Sequence, residues 1–129
     1  MIALGRLASS GQLIKLKNDP SMQVRTTAVV ALRRMGDPGI AHFLNDHESY
    51  VATEAARGIN DDFSIEEALP DLANVLESTN FNNEAFLRRS INANLRLGKL
   101  ENLERLIEFA KDVSKPSEMR ADALSVIST

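Results

Sequence analysis

The chain has no cysteine and no tryptophan in its 129 residues. Without cysteine it holds no disulfide framework, no thiolate metal site and no haem attachment motif, and this leaves the compartment open, because exported proteins also lack cysteine. Aromatics make up 5% of the residues, and Gly and Pro number only 6 and 4, so the residues that punctuate turns are scarce. β-Branched residues never alternate with polar ones over a strand's length, which removes the period-2 signature of sheets. No apolar run approaches the ~18 residues of a membrane span. Met1-Ile-Ala-Leu-Gly-Arg lacks the basic-then-apolar order of a signal peptide. These absences predict an all-α chain of roughly one domain. Its 43% hydrophobic share has to pack through small and aliphatic side chains.

Positive charge is missing where a nucleic-acid binder would need it. The net charge of −3 divides into +4 over residues 1–40, −9 over 41–86 and +2 over 87–129. A protein that coats phosphate backbone needs a continuous basic stripe, and the acidic middle interrupts one. No nucleic-acid partner and no direct membrane insertion are expected.

What is present is one helix design written four times. Val24, Ala28 and Leu32 stand at i, i+4, i+8, and the spacing returns as Val51, Ala55, Ile59, then Leu87, Ile91, Leu95, then Met119, Ala123, Ile127. Five residues before each first apolar position sits a helix-starting side chain: Asp19, Asp46, Asn82 and Ser114. The copies lie 27, 36 and 32 residues apart, the signature of a helical repeat array.

Each copy is followed by a shorter apolar stretch, as in a helical hairpin. Asp19-Pro20 gives an N-cap with Pro at N1, and Gly36 gives the left-handed stop of a helix ending near Met35. Asp37-Pro38 restarts a short helix over 38–45 with Ile40, Phe43 and Leu44 as its apolar face. The second copy begins at Asp46 and turns at Asn60-Asp61-Asp62. Pro70 argues for a turn over 65–68 and a helix beginning at Pro70 itself, burying Leu72, Val75 and Leu76. The third copy stops at Gly98, and its partner over 101–112 carries Leu103, Leu106, Ile107 and Phe109 or Ala110. In the first 17 residues, Ser9-Ser10-Gly11 reads as a turn between Ile2, Leu4 and Leu7 on one helix and Leu13, Ile14 and Leu16 on another. The expected repeats are 1–17, 18–45, 46–81, 82–113 and a partial 114–129. Neither end resembles the polar capping repeat that closes natural arrays, so the chain reads as part of a longer protein.

The candidates for chemistry are few. His42 and His47 are five apart across a helix boundary, not the i, i+4 pair of a helical zinc site, and read as surface or packing residues. Asp61, Asp62, Glu66 and Glu67 lack the central Gly and alternate spacing of a calcium loop. They read as a turn and a helix N-terminus whose dipole favours acids, or as a patch meeting a basic partner. Arg33-Arg34 and Arg88-Arg89 are neighbours that point about 100° apart on a helix, so neither makes one phosphate clamp. Arg25, Arg88 and Arg120 share a register position and are expected to bridge to acids of the adjacent repeat. Asn92 and Asn94, beside the apolar face of the third copy, are expected to hold a linking turn. No catalytic, metal or cofactor-binding set is expected.

Antiparallel helix pairs repeated at this spacing, with Val24-Arg25, Leu87-Arg88 and Met119-Arg120 in equivalent places, resemble HEAT repeats. Two stretches go further. Glu54-Ala-Ala-Arg-Gly-Ile-Asn-Asp-Asp with Ile65-Glu-Glu-Ala-Leu-Pro-Asp-Leu-Ala is one, and Leu87-Arg-Arg-Ser-Ile-Asn-Ala-Asn-Leu-Arg-Leu-Gly is the other, continued by Met119-Arg-Ala-Asp-Ala-Leu. Over residues 18–125 they resemble the repeat segment of large bacterial membrane-bound dehydrogenase and haem-binding proteins. Those proteins join a sugar-dehydrogenase-like β-propeller, this segment and a cytochrome c domain with a Cys-x-x-Cys-His motif. The resemblance implies export to the periplasm or cell envelope, and a spacer or docking role between redox domains, since none of the family's chemical residues falls within it.

The expectation is therefore an all-α, armadillo- or HEAT-like α-α superhelix of about four helical hairpins, non-catalytic and without a cofactor. Its partner would be protein, either adjoining domains or another chain. Second helices line the concave side of such arrays, which makes His42, Asn45, Asp71, Asn74, Glu104 and Glu108 the expected contact set. DNA binding of the kind shown by some HEAT-like glycosylases is the weakest reading.

Overall fold

The structure is a computed structural model and describes residues 10–128. Ile2, Leu4 and Leu7 of the expected opening helix lie outside them. Every regular element among the described residues is helical, and the chain divides into two compact units, 1–68 and 69–129.

In the first unit a helical segment over 10–15 runs into a 3₁₀ turn, Leu16–Asn18. Ser10 and Gly11 are thus helical, not the turn that their composition suggested. Helix α1 spans Met22–Met35 and α2 spans Ser49–Asn60, joined through a 3₁₀ segment, Pro38–Phe43. Ser21 caps α1 by accepting from the Val24 N–H at 3.2 Å. Gly36 ends it at φ +65°, with the Asp37 N–H bonded to the Leu32 carbonyl and the Gly36 N–H to that of Arg33, the Schellman arrangement. Asp37 then accepts from the Gly39 N–H at 2.8 Å, with Pro38 in the first turn. The core of this unit is Ala28, Val29 and Leu32 of α1 against Ile40, Phe43, Leu44 and the Val51, Ala52, Ala55, Ala56, Ile59 face of α2.

The second unit begins with α3, Leu69–Asn74, which tightens into a 3₁₀ turn, Val75–Glu77. Pro70 sits in the first turn of α3, where its missing N–H breaks no bond. Leu72, Val75 and Leu76 are buried behind it. Helix α4 spans Glu84–Leu97, α5 Leu100–Lys111 and α6 Ser117–Ser128. Helix α4 packs on α3, α5 and α6, so its Phe86, Leu87, Ile91 and Ala93 form the middle of the core, closed by Leu106, Met119 and Ala123.

Two further expectations are corrected. The four main helices start at residues 22, 49, 84 and 117, two or three residues after the expected caps. Asp19 and Asp46 are not caps. Their carboxylates accept from the N–H two residues on, Ser21 and Glu48, each at 2.9 Å, forming Asx turns that aim the chain into the helix. The second correction concerns register. Val24 and Leu95 are 36% and 37% exposed, while Arg25 and Asn94 next to them are buried. A step of four residues overshoots a full turn by about 40°, so a stripe spaced i, i+4, i+8 rolls off the packed face at one end.

Candidate functional site

The six expected contact residues lie where solvent or a partner can reach them. His42 and Asn45 are exposed in the first unit; Asp71 and Asn74 on α3, and Glu104 and Glu108 on α5, are exposed in the second. Glu104 and Glu108 fall on one face of α5, four residues apart, and the Glu108 carboxylate accepts from Lys111 Nζ at 3.2 Å.

Behind these surfaces each unit holds a buried polar cluster. In the first, Arg25 is 2% exposed and donates from Nε to Asp46 Oδ2 at 2.8 Å, from Nη1 to the Asp19 carbonyl at 2.8 Å and from Nη2 to Asp46 Oδ1 at 3.3 Å. The fork therefore ties together the two Asx turns that precede α1 and α2. His47 Nε2 lies 3.4 Å from Arg25 Nη2, but its ring is 76% exposed. Of the three arginines expected to bridge neighbouring repeats, only Arg25 does so. Arg88 pairs with Glu84 inside α4 at 3.0 Å, and Arg120 donates from Nε to the Ala110 carbonyl. The shared register position does not produce a shared role: Arg25 pairs with Asp46, Arg88 with an acid on its own helix, and Arg120 with a carbonyl while its charge helps to lower the Asp112 carboxyl.

In the second unit the cluster centres on Asn94, which has no exposed surface. Its Nδ2 donates to the carbonyls of Ala73 at 3.1 Å and Ser90 at 2.9 Å. Its Oδ1 accepts from Asn102 Nδ2 at 3.1 Å and Arg105 Nη1 at 2.9 Å. Ser90 Oγ donates to the Leu72 carbonyl at 2.7 Å. Leu72 and Ala73 carry the last carbonyls of α3, which the switch to a 3₁₀ turn would leave unpaired; two buried side chains of α4 satisfy them. Asn102 also accepts from the Lys99 N–H at 3.1 Å, closing the N-terminus of α5. Asn94 thus holds the end of α3 and not the linking turn expected of it, and it also fixes an arginine. Asn92 is half-buried on the same helix.

Arg105 was not singled out in the sequence. Its side chain is 11% exposed, and its Nε lies 3.2 Å from Glu77 Oε2 without the alignment of a hydrogen bond. It lines a cleft of about 690 Å³ beside the end of α5, together with Leu76, Phe109, Lys111, Asp112 and Lys115. Lys115 Nζ reaches across to the Thr79 carbonyl at 3.0 Å. Asp112 accepts from both the hydroxyl and the N–H of Ser114, which holds its carboxyl below the ordinary 3.8. Polar residues at apolar-face positions of α4 and α5, Asn94 and Asn102, were the signal that a buried network lay nearby.

Among the described residues no group of three His, Asp or Glu side chains is placed to hold a metal ion, and no helix is long and apolar enough to cross a membrane. The chain matches no protein-family model, no curated protein and no solved structure.

Proposed function

We propose that the chain is a HEAT-type helical-repeat array serving as a non-catalytic protein-interaction or spacer module, with the exposed His42, Asn45, Asp71, Asn74, Glu104 and Glu108 as its contact residues. The observation that carries this reading is the recurrence of one helix design. Helices α1, α2, α4 and α6 each bury the central apolar residue of the same pattern, Ala28, Ala55, Ile91 and Ala123. Three of them follow an aspartate that accepts from the N–H two residues on: Asp19, Asp46 and Asp112. Stacked hairpins of this kind bury their apolar faces on each other and leave polar faces for partners. The acidic stretch 41–86, at −9, works against a phosphate-coating role.

Photo-cross-linking residues at positions 42, 45, 71, 74, 104 and 108, introduced one at a time and irradiated in the native cell, test the face. The reading expects one protein captured from several of these positions and not from the exposed control positions 22 and 88. Equal capture from both sets, or from neither, would sink it. The family resemblance adds a setting, an exported propeller–cytochrome oxidoreductase in which the array docks the redox domains. The codons on either side decide that setting: a propeller upstream and a Cys-x-x-Cys-His motif downstream support it, and further repeats without a redox domain oppose it.

A further inference from the structure

We propose that the cleft beside α5 binds a single carboxylate carried on an extended polypeptide segment, with Arg105 as its anchor and Glu77 as the intrachain carboxylate that occupies the anchor when no partner is present. The inference rests on the interaction-module reading and names the chemistry of its partner.

Arg105 differs from the other charges around the cleft. Its side chain is 11% exposed, whereas Lys111 and Glu108 are 68% and 72% exposed and pair with each other on the rim. A guanidinium kept from water needs its donors filled. One is filled by Asn94 Oδ1, itself fixed by its contacts with Asn102, Ser90 and Ala73. The planar fork is thereby held in one orientation before any ligand arrives, which lowers the ordering cost of binding. The Nε–H is buried and has only Glu77, at 3.2 Å and poorly aligned, to face.

Glu77 is a weak occupant. It ends a 3₁₀ turn, and its side chain is 66% exposed, so leaving the arginine for water costs it little. A carboxylate arriving on a partner would meet the same fork with freedom to align, the geometry in which arginine binds carboxylates best. At about 690 Å³ the cleft is open and far larger than one anion needs, which leaves room for the chain that carries the acid. Leu76 and Phe109 line the cleft but are only 2% and 5% exposed, so the acid and the backbone beside it make most of the contact. On the rim Glu108 and Asp112 are balanced by Lys111 and Lys115, so the buried Arg105 is the cation left to select an acid. A lone Glu or Asp on a segment of low net charge is what fits.

The test uses the full 129-residue chain and a fluorescein-labelled peptide, acetyl-Lys-Ala-Glu-Ala-Lys-amide, titrated by fluorescence anisotropy. Saturable binding is expected, weakened at least about tenfold when the peptide's Glu is replaced by Gln and likewise in Arg105→Lys, which keeps the charge and loses the fork. Glu77→Gln removes the competitor and should tighten binding roughly two- to fivefold. This arm needs no destabilised protein and runs opposite to a purely structural Glu77–Arg105 pair, whose loss would gain no affinity. Equal binding of the Glu and Gln peptides, or no tightening in Glu77→Gln, overturns the proposal. So does sodium acetate competing as well as the peptide on a molar basis, since the polypeptide would then add nothing. Absence of peptide binding alongside specific photo-cross-links at 104 and 108 would remove the Arg105 anchor and leave the interaction module standing.

Discussion

Arg25 shows how a single buried charge can set local geometry in this chain. Both it and the Asp46 side chain are 2% exposed, so each is the other's solvent. An unpaired carboxylate left in that position faces the full desolvation penalty, which the loss of one partner exposes and the loss of both charges avoids. Arg25→Met is expected to lower unfolding stability by about 3–4 kcal/mol. The double variant Arg25→Met with Asp46→Asn should recover more than half of that loss. The amide retains an oxygen for the Glu48 N–H, which Asp46 holds at 2.9 Å, but carries no charge to strand. Urea denaturation of the three proteins measures both effects. A single-variant cost below about 1 kcal/mol, the range of an exposed pair, would show that the pair is not desolvated as described. His47 does not carry this cluster, since its ring is 76% exposed and water replaces whatever it contributes.

Among the elements, the helices depend on two kinds of glycine. Gly36, at φ +65°, stops α1 and has nothing within 4 Å of an added Cβ, so a side chain there is strained by the backbone and not by a neighbour. Gly11, also with open space around it, stands in the helical segment over 10–15. The same substitution should therefore act with opposite signs. Gly36→Ala is expected to destabilise by about 1 kcal/mol, with Gly36→Asn losing roughly half as much because Asn tolerates the left-handed region. Gly11→Ala should stabilise by up to about 1 kcal/mol. Thermal unfolding of the three variants checks the contrast, and a stabilising Gly36→Ala would contradict the left-handed stop. Gly36 and Gly98 were legible from the sequence as stops because only one feature of glycine was in play. The helix starts were less legible. Aspartate before a helix can cap it or can close an Asx turn leading into it, and residue type alone does not separate the two; Asp19 and Asp46 chose the turn while Ser21 took the cap. The buried network was less legible still. Asn94, Asn102 and Arg105 each stand out only as polar residues on otherwise apolar helices, and their partnership depends on how α4 and α5 pack, which periodicity does not encode.

For the whole molecule, the division into units 1–68 and 69–129 makes a claim about cooperativity that the sequence itself equips one to test. Each unit closes its own core and its own polar cluster, Arg25 with Asp46 in one and Asn94 with Asn102 and Arg105 in the other. Where a chain folds as separate compact units, a defect lowers the stability of its own neighbourhood first. Asn94→Ala is such a defect, since it strands the Ala73 carbonyl and the donors of Asn102 and Arg105 inside the second unit. A loss of about 3 kcal/mol follows from leaving buried groups unpaired. The chain has one tyrosine and no tryptophan, and that residue, Tyr50, lies on α2 in the first unit. Tyrosine fluorescence therefore follows the first unit, while far-ultraviolet circular dichroism follows helix throughout. In urea, Asn94→Ala should shift part of the dichroism transition to lower denaturant and leave the Tyr50 transition close to that of the unsubstituted chain. If both signals moved together by the full amount, the molecule would unfold as one cooperative block, and the loss of the Asn94 network would be shared across all 129 residues.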